Sequence, residues 1–501
     1  MQKIYESTRS GNIRKSAANA ILEGLAPDGG LFVLEQSAES PLDWRALEGK
    51  SYAETAKAVL GKFLDFPDEA LTEAVSLAYD GKFAAAEPAN LTALREAHIL
   101  ELFHGPTCAF KDFGLQMLPQ LIRLSLEATG LKKDILIVTA TSGDTGKAAL
   151  EGFKDAPRTK IFVFYPHEKV SRIQALQMLT QEGRNVGVAA IRGNFDDAQS
   201  GVKALFGDAA FLKALDTANI QLSSANSINI GRLAAQTVYY VWAYLRLVDS
   251  GVIRAGEKIN FVVPTGNFGN ILSGWYAYRM GLPVNRFICA SNANNVLTDF
   301  LETGRYDRKR DFLTTISPSM DILISSNLER LLYGASGGDH AKVAGLMGDL
   351  REKGVYQAGG GLFSTIREIF AGACADDDAT RQTIREVFQK ERYVLDPHTA
   401  VAWRAFEDCR NRRSELLGGC RTVILSTASP YKFATDVLTA IDGPQETADP
   451  FAQMRRLAEL TGTSIPRSLE TLQTKPVLHD GVVDISQMAA SVLKALGGMR
   501  S

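Results

Sequence analysis

Asp134-Ile-Leu-Ile-Val-Thr-Ala-Thr-Ser-Gly-Asp-Thr-Gly146 reads as a strand running directly into the start of a helix. Asp134–Ala140 is apolar without alternation, the pattern of a strand buried on both faces of a parallel sheet. Thr141–Gly146 supplies small polar residues and two glycines, and a helix is predicted from Lys147. The same corner recurs twice. Asn260–Pro264 leads through Thr265-Gly-Asn-Phe-Gly-Asn270 into a helix from Ile271, and Ile220–Leu222 leads through Ser223–Gly231 into a long helix from Arg232. At such corners free N–H groups and the positive end of the helix dipole meet, which makes an anion site without net charge. In open α/β sheets they also line the ligand crevice. One glycine turn of this kind is as often structural as functional; three of them point to a ligand with two or more anionic groups.

Outward from these corners the grammar continues. Short β-branched or aromatic runs at His98–Phe103, Lys160–Tyr165, Val186–Ile191, Val284–Ala290 and Thr422–Ser426 alternate with amphipathic stretches, as in a parallel sheet covered on both sides. Upstream, Ser51–Leu60 and Asp68–Ala78 carry apolar residues at helical spacing. The expected organisation is a mostly helical N-terminal domain (1–95), an α/β domain (96–245), and a second α/β domain with C-terminal helices (246–501).

Composition narrows the function. Apolar residues make up 45% and charged residues 22% of the 501, which is ordinary for a folded globular chain. The 55 Lys and Arg nearly cancel the 57 Asp and Glu, so no general field draws nucleic acid or an anionic membrane. Any anion site must be local. The apolar stretch Val238–Leu245 falls well short of the ~20 residues that span a bilayer. The N-terminus lacks the apolar core of a signal peptide. Five scattered cysteines form no C-x-x-C pair, so neither a zinc site nor a disulfide framework is indicated, and a cytoplasmic location is expected.

Nucleotide signatures fail on the text. A P-loop ending at Gly146-Lys147 would need glycine at Thr141 and Ser or Thr at Ala148. Gly266 and Gly269 lack the further glycine of the dinucleotide fingerprint. The remaining clue is His104-Gly-Pro-Thr-Cys-Ala-Phe-Lys-Asp-Phe-Gly114, in which Lys111 lies close to Phe110 and Phe113. Alone, such a lysine more commonly snorkels at a surface. Burial would instead lower its pKa and free its amine as nucleophile and base, as Schiff-base chemistry requires.

HGPTCAFKDFG (104–114), TSGDTG (141–146), SSANSINIGR (223–232), PTGNFGN (264–270) and LSTASPYKF (425–433) together resemble the threonine synthase family. Those are pyridoxal-phosphate enzymes of the tryptophan-synthase-β fold type. Tyr5-Glu-Ser-Thr-Arg9, Pro27-Asp-Gly-Gly-Leu31 and Asp396-Pro-His-Thr-Ala400 resemble its longer-chain branch. The resemblance implies an α/β fold of pyridoxal-phosphate fold type II, with two open, mostly parallel sheet domains and a helical N-terminal domain. It implies conversion of O-phospho-L-homoserine and water to L-threonine and phosphate by γ-elimination and β-hydration, in a monomer or homodimer. A threonine or serine dehydratase-like lyase is the alternative with the same cofactor, and a non-catalytic phosphate-binding regulator the alternative from another class.

The roles carried over are specific. Lys111 holds pyridoxal 5′-phosphate as a Schiff base and shuttles protons. Gly266, Asn267, Phe268, Gly269 and Asn270 cradle its phosphate, with both glycines needed for close approach. Thr427 meets the pyridine nitrogen. Thr141, Ser142, Asp144 and Thr145 receive the substrate carboxylate and, through Thr145, part of its phosphate, Asp144 being expected to cap its helix with the side chain turned away. Asn226, Ser227, Asn229 and Arg232 bind the substrate phosphate. His104 and His398 are expected to pack, without metal. One departure stands out: Thr427-Ala-Ser-Pro430 has Ser429 where the family usually places histidine.

Overall fold

The computed structural model describes residues 2–35, 40–141, 143–167 and 170–499. Two open α/β sheets dominate. The larger has the order Phe370–Cys374, Val284–Ser291, Ile259–Pro264, Arg421–Ser426, His98–Glu101, Asn90–Ala93. All its pairs are parallel except the last, where the edge strand Asn90–Ala93 runs antiparallel to His98–Glu101. The smaller has the order Val482–Val483, Val186–Ile191, Thr159–Pro166, Asp134–Ala140, Ile220–Ser223, all parallel. Strands Thr159–Pro166, Val186–Ile191 and Ile259–Pro264 are buried along their whole length, which is why their sequence shows continuous apolar runs.

Three expectations are corrected. The N-terminal region is not simply helical. It opens with a three-stranded antiparallel sheet, Ser10–Ser16, Ile4–Ser7, Phe32–Leu34, followed by helices Tyr52–Phe63 and Asp68–Tyr79. The first of these starts at a capping box between Ser51 and Glu54, which satisfies N–H groups that a helix start leaves free. Second, neither expected α/β unit keeps to one sheet, because the chain crosses between the sheets inside 96–245 and again near the end of 246–501. His98–Glu101 belongs to the larger sheet and Val482–Val483 to the smaller. Third, the corner helices begin two or three residues earlier than expected, at Asp144, Ile230 and Gly269.

The helix Ile230–Asp249 ties the molecule together. Its residues from Ile230 to Leu245 are all buried, Trp242, Tyr239, Tyr240 and Tyr244 fully so. A helix apolar on every side belongs in an interior. Phe113, from the helix Lys111–Thr129, packs edge-on against Tyr239, with ring centroids 5.4 Å apart, and that contact fixes the Lys111 helix against it.

Candidate active site

Lys111 is the first residue of its helix, and its N-cap Phe110 offers no capping side chain. The lysine is 9% exposed, and its Nζ lies 5.4 Å from the Phe110 ring centroid. The Nζ donates to Ser319 Oγ at 3.1 Å and stands 3.5 Å from Asp144 Oδ2. Burial pushes the ammonium below its ordinary value; Asp144 opposes this, and the nearby charges of Lys432 and Arg232 add to it. The positive end of the Lys111 helix disfavours a cation in the same direction. This lysine does not snorkel.

All three corners converge on it. The first contributes Asp144, whose carboxylate also pairs with Lys432 Nζ at 2.7 Å and accepts from Gln174 Nε2 at 3.0 Å. Asp144 therefore does not cap its helix, whose N-cap is Gly143. Two lysines draw the side chain inward. Burial alone would raise the Asp144 carboxyl, but Lys432 and Lys111 hold it well below the usual carboxylate range. Thr141 Oγ1 instead shapes the turn, accepting from the N–H groups of Gly143 and Gly146 at 3.0 and 2.9 Å. Thr145 is half-buried on the first helical turn. Ser142 lies outside the described residues.

The second corner reaches Lys111 through Ser319. A Cβ on Gly266 would come within 2.6 Å of the Ser319 carbonyl, so glycine there admits the loop that carries the Lys111 acceptor. Gly269 behaves otherwise. A Cβ there would meet Asn327 Nδ2 at 3.4 Å and Ser227 at 3.6 Å, ordinary contacts, and neither glycine has positive φ. The left-handed residue is Phe268, φ 62°, the N-cap of the helix Gly269–Arg279. Among the described residues, nothing accepts from the amides of Asn267, Phe268, Gly269 and Asn270. Asn270 Oδ1 accepts from Tyr239 and Tyr240 hydroxyls at 2.7 and 2.9 Å, which leaves the buried Nδ2 without a partner among the same residues. Four free amides and a free amide NH2 at a helix start fit a phosphate.

The third corner is joined to the other two. Thr139 Oγ1 donates to Asn226 Oδ1 at 2.6 Å, and Asn327 Nδ2 donates to Ser227 Oγ at 3.2 Å and to Asn267 O at 3.0 Å. Asn229 builds the corner: its Oδ1 accepts from Gly231 N–H, and its Nδ2 donates to Ile21 and Ser224 carbonyls. The expected substrate contact for Asn229 is thus replaced by helix capping, because its polar atoms are engaged internally. Arg232 is 2% exposed; Nη1 donates to Ala225 O at 2.9 Å, while Nε has no partner among the described residues. Burial pushes its guanidinium down to about 10.

Thr427 ends strand Arg421–Ser426. Its carbonyl accepts from Phe110 N–H at 2.9 Å, which sets it beside Lys111. Ser429 N–H donates to Cys108 O at 3.0 Å, and its side chain caps the turn Pro430–Phe433. Together with His104, Tyr393 and Arg467, Cys108 and Ser429 also line an open cleft of about 980 Å³; Lys111 does not reach it. His104 pairs with Glu101 at 2.7 Å. His398 does more than pack. Its Nδ1 meets Asp396 at 2.8 Å, and its Nε2 accepts from Ser319 N–H at 3.2 Å, so it holds the Ser319 loop.

Sequence reading missed Ser319, Asn327 and Lys432. Ser319 lies in the short 3-10 turn Pro318–Met320 and Asn327 is the N-cap of the helix Leu328–Ala335, and neither position carries a chemical signal in the sequence. Lys432 was visible as a cation in the apolar run Pro430–Phe433. The N-terminal sheet reaches this network through Arg330, which donates to the carbonyls of Phe32 at 2.9 Å and Ile228 at 2.6 Å and to Asn327 Oδ1 at 2.5 Å. Arg9 forks onto Glu329 with two 2.8 Å bonds, a geometry only guanidinium offers.

Known proteins match this architecture along the whole chain. Residues 4–79 match the model for the threonine synthase N terminus, 98–345 that for pyridoxal-phosphate dependent enzymes, and 399–475 that for the threonine synthase C-terminal region. The threonine synthase of Pseudomonas aeruginosa is 39% identical over 94% of this chain and 97% of its own. Human threonine synthase-like 1 is 38% identical over 85% of this chain, which spans 58% of that longer protein. The crystal structure of pyridoxal-phosphate-bound threonine synthase from Brucella melitensis superposes with a TM-score of 0.86 at 37% identity, covering all of both chains. The yeast threonine synthase structure also gives 0.86, at 33% identity over 99% of each. With free amides for a phosphate at one corner and a buried amine at the centre, the chain belongs to the threonine synthase family of pyridoxal-phosphate-dependent enzymes.

Proposed function

We propose that this chain converts O-phospho-L-homoserine and water to L-threonine and inorganic phosphate. The observation that carries this reading is Arg232, a buried guanidinium in the same site as Lys111 whose Nε has no partner among the described residues. A buried charge that has a backbone carbonyl but no carboxylate against it among the described residues is costly, so its presence calls for an anion in the working enzyme. A dehydratase acting on threonine or serine brings one carboxylate and has no use for this second cation.

The residues divide the work as follows. The amides of Asn267–Asn270 and Asn270 Nδ2 hold the phosphate of the cofactor, and the Thr427 hydroxyl serves its ring nitrogen. Pyridoxal phosphate, when bound, supplies the electron sink that stabilises negative charge at the substrate Cα. Lys111 Nζ would hold the cofactor covalently and is the amine placed to take the substrate Cα proton. The corner Thr141–Thr145 receives the substrate carboxylate on its helix-start amides. Asp144 does not bind the substrate there, because its carboxylate would repel an anion; it faces Lys111 and Lys432 instead. Arg232, with Asn226 and Ser227 at the same corner, orients the phosphate so that it leaves from Cγ after Cβ is deprotonated, and water then adds at Cβ. Burial of the whole assembly strengthens each of these charge interactions. A cytoplasmic location goes with this reading, and it is supported by five cysteines that are all free thiols.

The direct test supplies O-phospho-L-homoserine to the purified protein and follows phosphate and threonine together, with L-threonine and L-serine as competing substrates. Equimolar phosphate and threonine are expected. Formation of 2-oxo acid and ammonia from threonine, with no phosphate release, refutes the proposal. Borohydride reduction followed by peptide mapping is expected to place a phosphopyridoxyl group on Lys111.

A further inference from the structure

Asp144 sits between two lysines, and the proposed reaction uses only one of them. Lys432 Nζ holds Oδ1 at 2.7 Å, while Lys111 Nζ is 3.5 Å from Oδ2. Lys432 is 3% exposed, lies in the turn Pro430–Phe433 just beyond Thr427, and is anchored by a 2.9 Å bond to Thr107 O. It touches neither the phosphate cradle nor the Arg232 corner in any recorded bond.

A buried carboxylate with a single lysine settles as an ion pair, with the amine held as an ammonium. That would disable Lys111, which must be a neutral amine both to attack the cofactor aldehyde and to accept a proton. With the closer lysine already matching the charge of Asp144, both amines protonated would leave the buried cluster at +1. The proton that is least costly to release is the one on the longer contact, that of Lys111. Arg232 adds positive charge from a third element. Behind Ser319 stand His398, whose Nε2 accepts from Ser319 N–H, and Asp321.

We propose that Lys432 is a positioning residue for Lys111: by taking the charge of Asp144 through the other carboxylate oxygen, it keeps the Lys111 amine beside the carboxylate but free to act as nucleophile and base. The inference rests on the reading of Lys111 as the cofactor lysine. Burial of Lys111, reinforced by the charges of Lys432 and Arg232 and opposed by Asp144, acts in the same direction.

The test compares Lys432→Met with Lys432→Arg. Competitive acetylation of the full chain stripped of cofactor, across a pH series, gives the titration midpoint of Lys111 from its peptide. The Met variant is expected to raise that midpoint by about one unit or more, and the Arg variant to leave it close to wild type. In the holoenzyme the acid limb of the pH–rate profile then moves upward by the same amount. Turnover near neutrality falls about tenfold and is regained at alkaline pH. A purely structural role predicts equal loss at every pH, so an unmoved midpoint or a pH-independent loss overturns the proposal. Should the Met variant fail to fold, Lys432→Met/Asp144→Asn removes the pair together and is expected to bring the midpoint to the wild-type value or below; a raised midpoint there overturns it equally. Borohydride labelling separates the two readings: an unlabelled Lys111 defeats the cofactor assignment, whereas a labelled Lys111 with an unmoved midpoint defeats only the role of Lys432.

Discussion

Replacing Arg232 by methionine tests the substrate-phosphate role of its corner. The side chain is 2% exposed, and its one recorded hydrogen bond runs from Nη1 to Ala225 O. Methionine keeps most of the buried apolar stem and removes the charge, so the helix Ile230–Asp249 retains its packing. A hydrogen bond to a charged group contributes about 1.5–3 kcal/mol. At 1.36 kcal/mol per decade this corresponds to a roughly ten- to 150-fold loss of kcat/KM for O-phospho-L-homoserine. Inhibition by free phosphate weakens in parallel, because the product occupies the same pocket. Cofactor content and its absorbance remain, since the cradle amides belong to a different helix. Thermal stability of the substrate-free protein does not fall. The wild-type guanidinium is desolvated and its Nε lacks a partner among the described residues, and removing such a group relieves a cost. The assay is phosphate release over a substrate series, alongside thermal denaturation without substrate. Unchanged turnover, or loss of cofactor in place of turnover, refutes the assignment of this corner.

Gly266→Ala is expected to weaken cofactor retention by about tenfold, because its methyl would displace the Ser319 carbonyl from 2.6 Å and the Lys111 acceptor with it; Gly269→Ala, meeting only ordinary contacts, stays within about threefold. Equilibrium dialysis of cofactor from both variants checks the contrast, and equal losses would show that the Ser319 approach is not what Gly266 serves. Asp112 supplies a pH dependence. Burial raises its carboxyl to about 6, against hydrogen bonds from Thr107 that lower it. A raised folded-state value means that its contribution to stability is fully present below the unfolded value near 3.8 and is lost as pH rises through about 6. Relative to Asp112→Asn, the wild type therefore loses roughly 2.4 kcal/mol between pH 4 and 7. Denaturant titrations of both proteins at the two pH values measure the difference, and a gap that does not change with pH contradicts it.

The strands that were legible in the sequence are those buried on both faces, since Asp134–Ala140 and Ile259–Pro264 leave mostly apolar residues to read. The strands that escaped are of another kind. Ser10–Ser16 is partly exposed and polar, Asn90–Ala93 is an exposed edge, and Phe370–Cys374 is built largely from small residues; none has the period or composition of a half-buried strand. The site divides along the same line. A corner is a local object, so its glycines, its helix start and the positions of Lys111 and Arg232 can be read within a dozen residues. What joins the corners is distant in the chain: Ser319 meets Lys111 across 208 positions, and Asn327 meets Ser227 across 100. Asp144 shows how the distant part changes the meaning of the local one. In one dimension, an aspartate beside a glycine at a helix start has the form of an N-cap. In the folded protein the same carboxylate lies between Lys111 and Lys432, where contacts with two buried lysines outweigh one or two backbone N–H bonds. A residue read as part of a ligand corner thus becomes the counter-charge of Lys432 beside the reacting amine, and that change follows from a lysine whose only signal was its place in an apolar run.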